Sequence, residues 1–318
     1  MSTSDPIYIV VGPTSSGKTS LALKLCKDFN GEIISADSRQ VYKYMDLGTG
    51  KLPITSDNTL NVSVERKDTH WILDGVAVWG YDLVSPNEFY SGYDFAVYAL
   101  NKAREIRDRG KTVFVVGGTG FYIDLFTKNV EPSNIEPNLD LRNELEKLSL
   151  EELQDKFKSI TSLIPEGEMK IDLKNPVRLI RAIEKAVGTT KNLFPLPYFT
   201  DVTFKYIGLK SENSLLFARA DVWVETMWKN GLVDEVKNLM QLGFENSPKL
   251  QGLVYKSVVQ YLNPQNTLAE EQVKQLIKYD IHAYIRRQLT YFKRNKAIIW
   301  FDIDSSDYIK NIYNLING

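Results

Sequence analysis

Cysteine is almost missing from this chain: Cys26 is the only one in 318 residues. An intrachain disulfide is therefore impossible, and so is a cysteine-rich zinc module. Cys26 follows Leu21-Ala22-Leu23-Lys24-Leu25, a helical context in which a thiol behaves as a small buried hydrophobe. An excess of one charge is missing too. The 39 Lys and Arg residues against 40 Asp and Glu leave a net charge of -1, so any contact with nucleic acid has to come from local basic patches. No apolar run is long enough to span a bilayer. The polar start, Met1 to Pro6, lacks the basic and apolar regions of a secretion signal. No internal repeat or low-complexity tract stands out. A cytoplasmic, membrane-free monomer is the expectation.

What is present suits a globular enzyme. Hydrophobic residues make up 43% and charged residues 25%, the ordinary balance for a chain with a real core. The length fits one large α/β domain with an insertion, or two domains. Ile7-Tyr8-Ile9-Val10-Val11 is a buried-type strand, followed by a Gly-rich turn and a helical pattern from Lys18 to about Phe29. Glu32–Ser35 and Thr112–Val116 read as further core strands, and His70–Asp74 as a weaker one. Phe95–Arg109 reads as a helix stopped by Gly110. Strands alternating with helices predict a parallel sheet.

Pro132 and Pro137 among polar residues mark a linker, and 192–197 is a second linker candidate. Between them, 140–158 and 176–187 have helical patterns rich in charge. Residues 128–196 thus read as a helical insertion into a core formed by 1–127 and 197–318. Phe204–Leu209 and Ile298–Phe301 read as returning strands, with helices over 214–242, 254–262 and 268–295.

Gly12-Pro13-Thr14-Ser15-Ser16-Gly17-Lys18-Thr19 fits G-x-x-x-x-G-K-[ST] between a strand and a helix. The glycines let the backbone wrap an anion, and N–H groups at the helix start point at its oxygens. Lys18 adds a point charge, and the Thr19 hydroxyl is a candidate Mg²⁺ ligand. This loop specifies a pyrophosphate or polyphosphate; kinases, NTPases and prenyl-pyrophosphate enzymes all need it. The second strand ends in Ala36-Asp37-Ser38. Ligands of doubly wound sheets bind beyond the carboxyl ends of the strands, which brings Asp37 near the loop as a metal ligand, a general base or simply a helix N-cap.

The run Asp37-Ser38-Arg39-Gln40-Val41-Tyr42, followed by Met45-Asp46-Leu47-Gly48-Thr49 and Lys51, resembles the signature of the tRNA dimethylallyltransferase family. Further resemblances follow in order: His70-Trp71-Ile72-Leu73-Asp74, Val116-Gly117-Gly118-Thr119-Gly120-Phe121-Tyr122, Asn175-Pro176-Val177-Arg178-Leu179-Ile180-Arg181-Ala182-Ile183-Glu184, Arg219 with Gly231-Leu232-Val233 and Glu235-Val236, and Arg287-Gln288-Leu289-Thr290-Tyr291-Phe292. They extend from residue 12 to about residue 302. The resemblance implies transfer of a dimethylallyl group from dimethylallyl pyrophosphate to N6 of adenosine 37 in the anticodon loop of tRNAs reading codons that start with U. It implies Asp37 as general base, Lys18, Thr19, Mg²⁺ and Arg219 on the pyrophosphate, and Thr119 near the target adenosine. It also implies tRNA contacts at Asp37, Ser38, Arg39, Gln40, Arg178, Arg181, Arg287 and Gln288. His70 is read as structural.

RNA affinity needs cations, and the last long helix carries Lys274, Lys278, Arg286, Arg287, Lys293 and Arg294, with Lys296 beyond. Its apolar stripe, Ile277, Ile281, Ile285, Leu289 and Phe292, packs inward. The chain departs from the family pattern at Trp223, where a second Arg is usual, at Val254 and Ser257 in a Gly-Tyr-[KR]-[EQ] element, and at Leu52. Three other readings remain: a small-molecule kinase, an adenylate isopentenyltransferase acting on free AMP, ADP or ATP, and a P-loop RNA-binding protein without catalysis.

Overall fold

Strand β1 (Ile7–Val11) is buried at every residue, which requires a parallel neighbour on each side and helices on both faces. It pairs in parallel with β6 (Thr112–Gly117) on one side and with β7 (Phe204–Lys210) on the other. Burying each Ile or Val here is worth roughly 1.5–3 kcal/mol. The computed structural model describes residues 5–53, 62–130, 135, 138–160, 171–188 and 195–318. Among them the remaining strands are β2 (Gly31–Ser35), β3 (Val64–Arg66), β4 (Trp71–Leu73), β5 (Val76–Trp79) and β8 (Ile298–Asp302). The eight-stranded sheet has the order β3-β4-β5-β2-β6-β1-β7-β8. All pairings from β5 to β8 are parallel.

The other edge corrects the all-parallel expectation. There β3, β4 and β5 form an antiparallel meander. The β4–β5 hairpin turns on Asp74 and Gly75, at φ 48° and 80°, as a two-residue turn with both central residues left-handed requires. An Asp-Gly pair between short apolar runs was the available signal. The strands are only three or four residues long, which hid them from the alternation pattern.

The helices are α1 (Lys18–Asp28), α2 (Gly92–Asp108), α3 (Gly120–Phe126), α4 (Leu139–Leu145), α5 (Leu150–Ser159), α6 (Pro176–Val187), α7 (Asn213–Lys229), α8 (Leu232–Gln241), α9 (Leu253–Leu262), α10 (Glu270–Phe292) and α11 (Tyr308–Asn317). Two expected helices are each split. The 214–242 stretch breaks at Gly231, whose φ of 100° leaves the helical region while staying open to glycine. The 140–158 stretch breaks at Ser149, which with Glu152 forms a capping box that starts α5. Helices α3 and α11 were not foreseen from the sequence. No helix among the described residues is long and apolar enough to cross a membrane.

The chain folds as two units, Met1–Val130 with Leu196–Gly318, and Glu131–Pro195. The smaller has its own core of Leu145, Leu153, Phe157, Leu179, Ile180 and Ile183. Its α6 starts on the Asn175 side chain, which accepts from the Arg178 N–H, with Pro176 at the first helical position. Glu184, fully buried, accepts from Arg142 Nε and Nη2 at 2.9 and 2.8 Å, from the Asn138 N–H at 2.6 Å and from Arg181. Burial pushes its pKa up, but these bonds outweigh that and hold it below the usual value. Arg181 also donates to the Ile135 carbonyl at 3.1 Å. Its guanidinium is committed inside this unit, whereas Arg178 is exposed.

Removing one partner of a buried ion pair costs about 3–5 kcal/mol. Glu184→Ala is therefore expected to erase hydrogen-exchange protection in α4–α6 while β1 keeps its own. Because the folded pKa is depressed, the stabilisation is complete above the unfolded carboxylate pKa and is lost as pH falls through the folded one. Unchanged protection in the variant would show that the cluster does not hold this unit together.

Candidate active site at the carboxyl edge of the sheet

The phosphate loop leaves β1 at Gly12, where a Cβ would stand 2.7 Å from the Leu209 carbonyl oxygen and 2.9 Å from Ser16 Oγ. Only glycine fits that approach. Gly17 then enters α1 at φ 82°. Lys18 Nζ donates to the Pro13 carbonyl at 2.7 Å, across the mouth of the loop. The Ser16 hydroxyl is buried with no hydrogen-bond partner among the described residues. Such an orphan costs roughly 1–3 kcal/mol, and an anion in the loop would relieve it. The loop therefore fits a phosphate group by its own chemistry.

Asp37 lies just past β2, and no helix starts there, which removes the helix N-cap reading. It caps a turn instead, its Oδ1 accepting the Arg39 N–H at 3.0 Å. Burial raises the Asp37 pKa, opposed by the Arg39 N–H and by the charges of Lys18 and Arg39. Burial lowers the Lys18 pKa to about 8, opposed by Asp37. The two groups thus lie within electrostatic reach, and the site moves both toward the neutral range that proton transfer needs.

Thr119 completes the group. Its Oγ1 accepts the Ser38 N–H at 3.0 Å and donates to Ser38 Oγ at 3.3 Å, while the Tyr284 phenol lies beside the same side chain. Burial and the Asp37 charge push the Tyr284 pKa up to about 12, so it stays protonated. Helix α10 meets these loops through one face: Tyr284 on Thr119, Gln288 on the phosphate loop, and Tyr291, whose hydroxyl donates to Asp124 Oδ2 at 2.5 Å. Their spacing of four and three is the helical repeat, but it lies beside the stronger apolar stripe, and Tyr284 went unnoticed in the sequence for that reason.

Gln288 is 4% exposed. Its Oε1 accepts the Thr14 N–H at 2.8 Å and the Thr14 hydroxyl at 3.2 Å, and its Nε2 donates to the Gly118 carbonyl at 3.0 Å. The structure thus places it inside the site wall, with its amide already used at both ends, and not on an RNA-facing surface. Gln40 differs from its expected role for the same reason. It is 9% exposed, with Oε1 accepting from Ser35 Oγ at 2.7 Å and Nε2 donating to the Thr49 and Gly50 carbonyls.

Arg39 donates to the Gly252 carbonyl at 3.3 Å, and Arg287 is exposed beside the Tyr284 ring. Arg219 is exposed, one helical turn before Trp223, whose ring would stand 3.3 Å from a Cβ on Gly50. That face of α7 therefore looks toward the turn that Gln40 holds. Lys274 and Lys278 are not free cations: both pair with Glu225 of α7, at 2.9 and 2.6 Å.

Several signature residues turn out to build the scaffold. Lys51 is fully buried and bridges Asp46 at 2.7 Å and Asp82 at 2.5 Å. Glu235 accepts the N–H groups of Asp46, Leu47 and Gly48, and the Tyr255 hydroxyl at 2.8 Å. Val254 and Ser257 are buried on the same helix as Tyr255. His70 stacks on Trp79 with ring centroids 4.2 Å apart, a structural contact. A cavity of about 410 Å³ lies at the amino ends of the strands, beside Tyr8, Thr112 and Lys205, away from these groups.

Comparison with known proteins gives the same order of parts a family. The model described as IPP transferase matches residues 40–295, and one described as isopentenyl transferase matches residues 5–66. The chain belongs to the IPP transferase family. It is 36% identical over 316 residues to the tRNA dimethylallyltransferase of Clostridioides difficile, covering 98% of this chain and 96% of that one. The tRNA dimethylallyltransferase of Acetivibrio thermocellus is 34% identical over 325 residues, covering 97% and 96%. The crystal structure of the full-length tRNA isopentenylpyrophosphate transferase from Bacillus halodurans superposes with a TM-score of 0.67 at 33% identity, covering 99% and 96%. The mostly parallel sheet and its helices are thus those of the family.

Gln288→Leu keeps the volume and removes all three bonds, leaving the partly buried Thr14 N–H without its side-chain acceptor at a cost of roughly 1–3 kcal/mol. Titration calorimetry is expected to show weaker inorganic pyrophosphate binding, together with a lower melting temperature. Equal values for both in the two proteins would mean that the amide does not shape the loop. Lys18 gives a pH signature. Its charge is lost as pH rises through about 8, so pyrophosphate affinity is expected to fall roughly tenfold per pH unit above that point. Lys18→Met should bind more weakly at pH 7 and lack this component; parallel profiles for the two proteins would assign the pH dependence elsewhere.

Proposed function

We propose that this chain transfers the dimethylallyl group of dimethylallyl pyrophosphate to N6 of adenosine 37 in the anticodon loop of tRNAs that read codons starting with U. The observation that carries this reading is the meeting of an anion loop, with its unpaired buried Ser16 hydroxyl, and a carboxylate whose pKa burial raises. The turn after that acid is tied to Thr119 through the Ser38 N–H, and the 36% identity to a tRNA dimethylallyltransferase over 98% of this chain favours prenyl transfer over a kinase.

The chemistry follows from the parts. N6 of adenine attacks C1 of the dimethylallyl group, the C1–O bond breaks, and pyrophosphate leaves with the electron pair. The N6 proton passes to Asp37, which makes a poor amine nucleophile competent. Lys18, the loop N–H groups and Arg219 offset the charge growing on the leaving group. The Thr19 hydroxyl is the ligand that would hold Mg²⁺, and the ion would add further charge compensation on the pyrophosphate oxygens. Thr119 and Ser38 position the adenosine, which must leave its stack to reach them. Arg39 and Arg287 border this edge as RNA contacts, and the exposed Arg178 gives the insertion its own phosphate contact.

A transfer assay with labelled dimethylallyl pyrophosphate, Mg²⁺, unmodified tRNA and competing AMP and ATP tests the reading. Label is expected in tRNA alone, with Asp37→Ala lowering the rate by a factor of about 100 or more. Label in AMP or ATP would reassign the acceptor to a free nucleotide. ATP turnover without transfer would make the protein a kinase.

A further inference from the structure

Tyr44 holds a backbone position that suits glycine. Its φ is 66°, in the left-handed region that a bulky side chain enters only against strain. Burial does not repay it, since the residue is 48% exposed. Its ring lies on that of Phe244, with centroids 6.2 Å apart and planes 23° from parallel, and its outer part faces solvent. The segment that carries it is rigid. Tyr42 is buried, the Lys43 N–H donates to the Val84 carbonyl at 2.9 Å, and the catalytic turn starts only seven residues earlier, at Asp37. Strain, exposure and a backing ring together describe a side chain held out for a partner.

The charges beside it identify that partner. Lys249 Nζ stands 4.7 Å from the centre of the Tyr42 ring. Burial lowers its pKa, and the neighbouring positive charge of Arg39 lowers it further. Neither Lys249 nor Arg39 forms an ion pair among the described residues, and Lys43 is exposed on the same turn. An aromatic face on the turn that carries Lys43, two residues from the ring under Lys249 and seven residues along the chain from Asp37, matches single-stranded nucleic acid: a base for the ring and a phosphate for the two lysines.

We infer that Tyr44, backed by Phe244, is a stacking platform for an unpaired base of the acceptor RNA next to the nucleotide that enters the site, with Lys249 and Lys43 on the adjoining phosphate. This rests on the RNA acceptor proposed above. Tyr44→Gly tests it without endangering the fold, because glycine suits the φ of this position. The KM for tRNA is expected to rise roughly tenfold, while the KM for dimethylallyl pyrophosphate and the melting temperature hold or, for the latter, increase. Tyr44→Phe should match the parent. With transfer intact in the parent, an unchanged tRNA KM in Tyr44→Gly overturns the platform. So does a lower melting temperature with unchanged KM, which makes the ring pair a packing contact only. Fluorescence anisotropy with an anticodon stem-loop RNA makes the test independent of catalysis. Equal affinities for parent and Tyr44→Gly overturn the inference even if the parent transfers nothing, a result that would separately remove the proposed function.

Discussion

Gln288 is bonded at both ends of its amide, to Thr14 of the phosphate loop and to Gly118 of the turn after β6. Those two loops leave adjacent strands, and nothing in a parallel sheet by itself sets how their tips stand relative to each other. A buried amide does so because either bond, left unmade, would strand a polar group away from water. The placement of the phosphate loop relative to the Gly118–Thr119 turn depends on that constraint. Helix α10 supplies it from outside the sheet, with Tyr284 beside Thr119 of the same turn and Tyr291 bonded to Asp124 of α3.

The electrostatics of the site follow from this closeness. Burial works against both ionised groups, lowering Lys18 to about 8 and raising Asp37. Each is kept charged in part by the other. A carboxylate left in water would be too weak a base, and an isolated buried one would be neutral and useless. Binding of an anion at the loop would also change what Asp37 senses, because Lys18 and Asp37 already act on each other's charge.

Much of the remaining signature serves the scaffold. Lys51 and Glu235 carry charge, yet they spend it on Asp46, Asp82 and three backbone N–H groups. A buried ion held this way fixes a turn, here the one that Gln40 grips beneath the site. The resemblance implied RNA contacts at Gln40, Gln288 and Arg181, but the structure buries the two amides and ties the Arg181 guanidinium to Glu184 and the Ile135 carbonyl. Arg178 and Arg181 share a helix and a motif, but Glu184 lies within reach of only one of them.

The sequence alone determined the parts that are local. The phosphate loop was legible because its glycines, Lys18 and Thr19 act within eight consecutive residues. The core strands were legible because parallel burial demands unbroken apolar runs, and Asp37 because a strand's carboxyl end is a position along the chain. The tertiary structure decided everything that depends on residues far apart meeting. It set the antiparallel edge of three short strands, the break at Gly231 and the joining of Thr14 to Gly118 across 274 and 170 residues. It also set which cations are free, taking Lys274 and Lys278 out of the RNA-facing set through Glu225. Spacing along a chain encodes which face a residue shares, but not which side chain arrives from elsewhere to satisfy it. For a buried polar group that arrival decides its role.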